Sequence, residues 1–342
     1  MINIFLDPFF FSCPKASDGI EKLESYINNI ISLKEVKDCS WADIYTSVKT
    51  IDVLMESNSY PILWDELRAL VSELGLIDVS IKDIISLVDS FIQKNYLEDA
   101  FKIDDILIDA YECAPDCNLN NRLSSYKEHF ESLSILVCLI NELYGYNLKD
   151  QIILTSCDCS DTISVQVRGQ IIEIESNVHN LNLPHSCSGE IILCTDTHGL
   201  YSSVDSSSVW KQDANEQAYK EAILIQCYQW KNDGSGQLDN SESWIFGPQF
   251  LKTVEGCGIL PNLGRVKALL RACEHTINKQ NLTHTHALRI NNAGNSPQVT
   301  RANGDRAWRR DIDYEYHLHY WESPFGLELA SVVVHNNMTI PA

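Results

Sequence analysis

Apolar residues in the first 150 positions recur mainly at helical spacing. After a short apolar segment, "MINIFLDPFFFSCPK", Asp18 and Glu21 stand at capping-box spacing ahead of Ile20, Leu23, Ile27, Ile30 and Ile31 on one helical face. Pro61 opens a helix carrying Trp64, Leu67, Leu70, Val71 and Leu74, with Gly75 as its stop. Ser80 precedes Ile81, Ile84, Ile85, Val88, Phe91 and Ile92, another single face. "CAPDCNLNN" reads as a loop, and a further helix is predicted from about Arg122 to Tyr144. No repeat period emerges, which favours a bundle over a solenoid.

From Gln151 the period changes. "TISVQVRGQIIEIES" alternates as a strand, turns near Gly169 and continues as a second strand. "GEIILCTDT" is a strand and "DANEQAYKEAILIQCYQW" a helix, followed by the polar connector "NDGSGQLDNSES". A helix is predicted from Asn262 to about Asn278, then three strands, the last two joined by the Pro/Gly turn in "ESPFG". The expected fold class is α+β: a helical domain over 1–150, a middle αβ region over 151–258, and an antiparallel sheet domain over 259–342.

Composition adds compartment and charge. The 342 residues suffice for two or three domains, and 44% hydrophobic with 21% charged residues is globular usage. The apolar start lacks a basic flank and contains Asp7 and Pro8, and no stretch approaches the ~18 apolar residues of a membrane span. The twelve cysteines form no small secreted framework, so the expected compartment is the cytoplasm, with no membrane partner. Net charge is −21, distributed as −14 over 1–150, −9 over 151–258 and +2 over 259–342. Seven of ten arginines and six of ten histidines lie beyond position 260. Only the C-terminal quarter suits a polyanion, and the acidic helical part suits a protein partner or a salt-sensitive electrostatic mask.

The arginines concentrate in "RANGDRAWRRDIDYEYHLHYW", residues 301–321. On a strand from 311 to 320, Asp311, Asp313, Glu315, His317 and His319 share one face, while Ile312, Tyr314, Tyr316, Leu318 and Tyr320 share the other. His284 and His286 share a face on the neighbouring segment, and His335 closes the last strand. Two chemistries fit. Arg289, Arg301, Arg306, Arg309 and Arg310 can hold phosphate oxygens while Glu315, His317, His319 or His335 move protons during phosphodiester cleavage, without a cofactor. Alternatively His284, His286, His317 and His319 bind a zinc- or iron-type metal as two His-x-His pairs. A structural reading stands beside both: a solvated strand face, with arginines paired to Asp305, Asp311 and Asp313. Four guanidiniums would repel a cation, which favours phosphate over metal.

The C-terminal segment loosely resembles RelE/ParE-type ribonuclease toxins in its order of elements. The helix "NLGRVKALLRACEHTIN", the strand "HALRI", an Arg-rich turn, the strand "YEYHLHYW" and the terminal "ELASVVVHNN" carry the resemblance, over about 80 residues. It implies helices followed by an antiparallel sheet with basic residues and histidine on its face, and a toxin-like ribonuclease activity. By analogy of position, Arg306, Arg309, Arg310, His317 and His335 would form the site. The acids on the central strand and the large N-terminal extension depart from the family.

Other motifs are weaker. "KNDGSGQLDNSE" has EF-hand spacing but carries Lys231 at the first ligand position. Cys113 with Cys117, and Cys157 with Cys159, do not make paired Cys-x-x-Cys spacing. Asp7 reads as a turn residue, because no second acidic strand end supports a metal-dependent nuclease. The expectation is therefore a cytoplasmic, metal-independent nuclease of toxin or phage-defence type that meets nucleic acid through its C-terminal domain. A non-catalytic scaffold and a metal-dependent His-x-His enzyme are the alternatives.

Overall fold

The structure, a computed structural model, describes residues 2–38, 41–60, 64–73, 75, 80–116, 122–146, 151–156, 162–210, 215–232, 243–291 and 296–342. The Pro61 helix start, Leu74, Cys117, Cys157, Cys159 and the EF-hand-like positions 233–242 lie outside them. The fold is α+β, in two units: Met1–Ser203 and Val204–Ala342.

In the first unit the order is β1 (Ile2–Leu6), α1 (Ile20–Asp38), β2 (Ala42–Tyr45), α2 (Thr50–Glu56), α3 (Trp64–Glu73), α4 (Ile81–Ile92), α5 (Leu97–Phe101), β3 (Asp105–Ala114), α6 (Ser124–Tyr144), β4 (Gln151–Leu154), β5 (Thr162–Glu175), β6 (His185–Cys194) and α7 (Thr197–Ser203). The strands form one sheet, β2-β1-β4-β6-β5-β3. The first four run parallel, and β5 and β3 are antiparallel to their neighbours. Residues 1–150 are therefore not a separate helical domain. β1 lies inside the sheet beside β4, and the expected boundary at 150 falls within this unit. The reason is physical: β1 and β4 are buried on both faces, so INIFL and QIIL show no sustained alternation, and their polar members Asn3 and Gln151 are buried and hydrogen-bonded to each other.

Helix α6 covers one face of this sheet. Phe130, Leu133, Leu136, Val137 and Ile140 pack with Phe5, Ile153, Val165, Val167 and Leu193 in a shared core. Gly169 shows how close the layers are. It is not a turn: β5 continues through it, and a Cβ there would meet Ile135 Cδ1 at 2.7 Å. Glycine admits the helix. Asp7, expected in a turn, is fully buried at the end of β1. Arg122 Nη1 pairs with its Oδ2 at 2.9 Å, and Thr155 donates a hydrogen bond to the same oxygen. His129 Nδ1 stands 3.9 Å from Oδ1, and burial lowers the pKa of that imidazole.

The second unit contains α8 (Ser206–Val209), α9 (Glu216–Asn232), β7 (Trp244–Phe246), α10 (Phe250–Gly256), α11 (Leu263–Ile277), β8 (Thr285–Ala287), β9 (Arg306–Asp311), β10 (Tyr316–Ser323) and β11 (Gly326–Val334). The boundary expected at 258 falls between α10 and α11, inside the unit. The sheet order is β7-β11-β10-β9-β8, antiparallel except that β7 runs parallel to β11. Asn262 caps α11, its Oδ1 accepting from the Arg265 N–H at 3.1 Å. Gly326 has φ +142, and a Cβ there would fall 1.8 Å from the Ser243 carbonyl, so the hairpin needs glycine.

Two expectations for this sheet change. The Arg-rich "turn" is itself a strand, β9, and the turn lies at residues 312–315. Asp313 builds it: its Oδ1 accepts from the N–H groups of Glu315 (2.7 Å) and Tyr316 (2.8 Å). Tyr314, expected on a core face, is 88% exposed at its tip.

Candidate functional site

Cross-strand register assembles the site. In the β9–β10 ladder His317 opposes Asp311 and His319 opposes Arg309, while on β8 His286 opposes Arg309. Alternation then puts Arg309, Asp311, His317, His319 and His286 on one face. His335, just past β11, joins them, its ring centroid 4.4 Å from that of His317. His284, in the single turn before β8, reaches Asp311 Oδ2 with Nδ1 at 3.6 Å.

Burial grades these groups. His317 is 1% exposed, whereas His286 and His335 are exposed and Arg309 is half-buried. His317 Nε2 lies 3.0 Å from Asp311 Oδ1, at ion-pair distance but not aligned as a hydrogen bond, and neither ring nitrogen has an aligned partner. Burial lowers the His317 pKa. Asp311 opposes that shift, and His335, Arg309 and His286 add to it. The ring is therefore neutral near pH 7.

His319 is fully buried, and its Nδ1 lies 3.0 Å from the Thr339 carbonyl. That carbonyl fixes the proton on Nδ1 and leaves Nε2 without a partner. Burial pushes its pKa down to about 4. The C-terminal segment makes this contact as it crosses the sheet. Arg309 Nη1 lies 3.6 Å from Met338 Sδ, Met338 and Ile340 pack on Leu288, Ala307, Trp321 and Ala330, and Trp321 Nε1–H donates to the Pro341 carbonyl at 2.8 Å. One half of the face is thus apolar and strapped down, and the other half carries the imidazoles.

Five expected members lie elsewhere. Arg310 projects to the opposite face, 2% exposed, and donates to the carbonyls of His275 (3.3 Å), Asn281 (3.4 Å) and Gln280. Arg301 forms a two-pronged pair with Glu328, at 2.6 and 2.8 Å, over the Trp321 ring. Arg289 donates to the carbonyl of Ser296, and Arg306 is exposed at the far end of β9, opposite Glu322. Glu315, in the turn, is paired with Arg265 at 2.7 Å. For Arg306 and Arg310 the reason is the two-residue period of β9, which turns them away from Arg309. Arg289 and Arg301 lie outside the named strands, and Glu315 lies in the turn.

Asp311 is the member that sequence reading placed only as a polar face residue or an arginine partner. The signal that finds its role is the Asx-turn at Asp313, which folds Asp311 back against His317. The metal alternative is not assembled as a cluster. Among the described residues, one group of three potential ligands has its donor atoms within 4.8 Å of one another, and it is Glu142, His185 and Cys187 in the first unit. No helix among the described residues is long and apolar enough to cross a membrane.

Comparison of the chain with protein-family models, with curated proteins and with solved structures returned no match.

Proposed function

We propose that the second unit is a metal-independent acid–base centre for phosphodiester cleavage, with RNA as substrate. The observation that carries this reading is the close contact of His335 with His317, 4.4 Å between ring centroids with the rings tilted by 43°, with Asp311 3.0 Å from His317 and Arg309 on the same face. Arg309 holds a phosphate oxygen and stabilises the charge that develops on it. The exposed imidazoles of His335 and His286 serve as acid and base, and one removes the ribose 2′-hydroxyl proton. The 2′-oxygen bonds to phosphorus, the bond to the 5′-oxygen breaks, and the other imidazole protonates the leaving oxygen. The products are a 2′,3′-cyclic phosphate and a 5′-hydroxyl. His317 and Asp311 act through His335 as positioning residues, and His319 holds the C-terminal strap through Thr339.

Helices α10 and α11 followed by strands β8 to β11 follow the order implied by the resemblance to RelE/ParE-type toxins, which supports the substrate choice. Charge supports it as well. The second unit carries 13 Lys/Arg against 15 Asp/Glu, net −2, whereas the first carries 13 against 32, net −19. Polyanion contact therefore belongs to the second unit, and a basic protein partner to the first. The pairing of Arg301 with Glu328 and the burial of Arg310 favour a second reading, an interaction module without catalysis.

Labelled RNA and DNA of equal sequence, incubated with the full-length protein in EDTA, separate the two. The nuclease reading expects RNA cleavage that falls about 100-fold in Arg309→Ala, the scale of losing one charge-stabilising donor. Intact RNA at every protein concentration, or cleavage undiminished in the variant, overturns it.

A further inference from the structure

The first unit holds a donor set unrelated to the histidine face. Helix α6 and strand β6 each contribute by their own periodicity. On β6, His185 and Cys187 are two residues apart and share a face. On α6, Cys138 and Glu142 are four apart and lie one turn above the other. The layers are close here because Cys187 pairs across the ladder with Gly169, the residue that admits α6.

The result is a donor cluster graded in burial. Glu142 and His185 side chains are 53% and 23% exposed, with His185 Nε2 3.1 Å from Glu142 Oε2. Cys187 lies behind them at 3% exposure, and the donor atoms of all three are within 4.8 Å of one another. Cys138, 5% exposed, belongs to the same buried cluster as Cys187. We propose that Glu142, His185 and Cys187 bind a thiophilic divalent cation of the zinc type, tying α6 to β6.

The chemistry favours this class. One sulfur, one imidazole nitrogen and one carboxylate oxygen form a mixed set that suits zinc, and calcium or magnesium would demand more oxygens. Donors in a tetrahedral zinc site lie roughly 3.5 Å apart, given zinc–ligand bonds of about 2.0–2.3 Å. Closing from 4.8 Å therefore needs small rotamer adjustments, and Glu142 is free enough to make them. The exposed carboxylate and the half-buried imidazole form an entry path to the buried sulfur. Burial, reinforced by the Glu142 carboxylate, pushes the Cys187 thiol up to about 12. A bound cation inverts that preference, so loading must release the thiol proton.

The test uses full-length protein, purified without a metal column, stripped with chelator under reducing conditions and titrated with Co²⁺ alone. The expected result is one equivalent bound per chain, a sulfur-to-cobalt charge-transfer band in the near-ultraviolet, proton release on loading, and displacement by Zn²⁺. Cys187→Ala removes the band. Because that change is in the core, His185→Gln and Glu142→Gln at the rim serve as second variants. Each is expected to weaken binding at least ten-fold with an unchanged circular-dichroism spectrum. Absence of the band in the parent protein, or a band and affinity unaltered in both rim variants, overturns the site.

Discussion

Arg309 and Arg310 are adjacent in sequence, on one strand, and have opposite fates. Arg310 turns towards the end of α11, where three backbone carbonyls surround its buried guanidinium. Carbonyls at and beyond a helix C-terminus lack intrahelical partners, and this side chain supplies them with donors. Arg309 turns to the other face, where His286 and His319 oppose it across the ladders and a thioether sulfur is its acceptor among the described residues. The first arrangement gives both terminal nitrogens of Arg310 carbonyl acceptors and leaves its Nε as the one position without an aligned partner. The second leaves ring nitrogens of His317 and His319 and the Nε of Arg309 without aligned partners in a buried setting. Such unsatisfied groups are costly to keep, and where they cluster beside exposed imidazoles a functional role is the economical explanation.

The sharpest way to break this contrast is at His335, because it is exposed and holds no core in place. His335→Gln is expected to lower RNA cleavage about 1000-fold, the middle of the range for a lost acid or base, with an unchanged melting temperature. Retained cleavage would leave the His335–His317 contact without a chemical role. Next comes the arginine pair itself. Arg310→Met leaves the Gln280 carbonyl without its donor, while the carbonyls of His275 and Asn281 keep the N–H groups of Gln280 and His284. It is expected to cost about 2 kcal/mol in urea unfolding, whereas Arg309→Met costs less than about 1 kcal/mol. Equal losses would erase the distinction between the two faces.

A third effect is on pH. The His319 pKa is about 4 in the folded chain against an ordinary 6.5. The unfolded chain therefore binds the proton first, so stability is full above about pH 6.5 and is lost as pH falls towards 4. The expected loss from this group is on the order of 2–3 kcal/mol between pH 6.5 and 4.5, and His319→Gln removes that part of the slope in denaturation measured at both pH values. An identical slope in the variant would mean that this imidazole does not titrate as its burial dictates. The smallest effect belongs to Asp311, which raises the His317 pKa against burial. Asp311→Asn is expected to slow cleavage about ten-fold and to move the acidic limb of the pH–rate profile to lower pH. A limb moving upward would place Asp311 outside the relay.

What was legible in the sequence follows from period and burial. Helices α1, α4 and α6 announce themselves because each buries one stripe or one long run, as Ile84, Val88, Phe91 and Ile92 do on α4. The central strands β1 and β4 do not, since burial on both faces removes alternation, and with β1 hidden in this way residues 1–150 read as a helical domain. In the second unit the residue types of the site were legible but not their grouping. A strand drawn through residues 312–315 keeps Asp311, Asp313 and Glu315 on the histidine face. A turn there returns Asp311 to His317 across the ladder and sends Glu315 to Arg265. The Asp7–Arg122 ion pair shows the same limit over a longer span: 115 residues separate partners that only the sheet brings together.

The most direct test is a DNA oligonucleotide containing one ribonucleotide, incubated with the full-length protein in EDTA and analysed for its new ends. The account predicts a single cut on the 3′ side of that ribose, leaving a 2′,3′-cyclic phosphate, and its loss in His335→Gln. Cutting at deoxynucleotides, or a 5′-phosphate product, would contradict it.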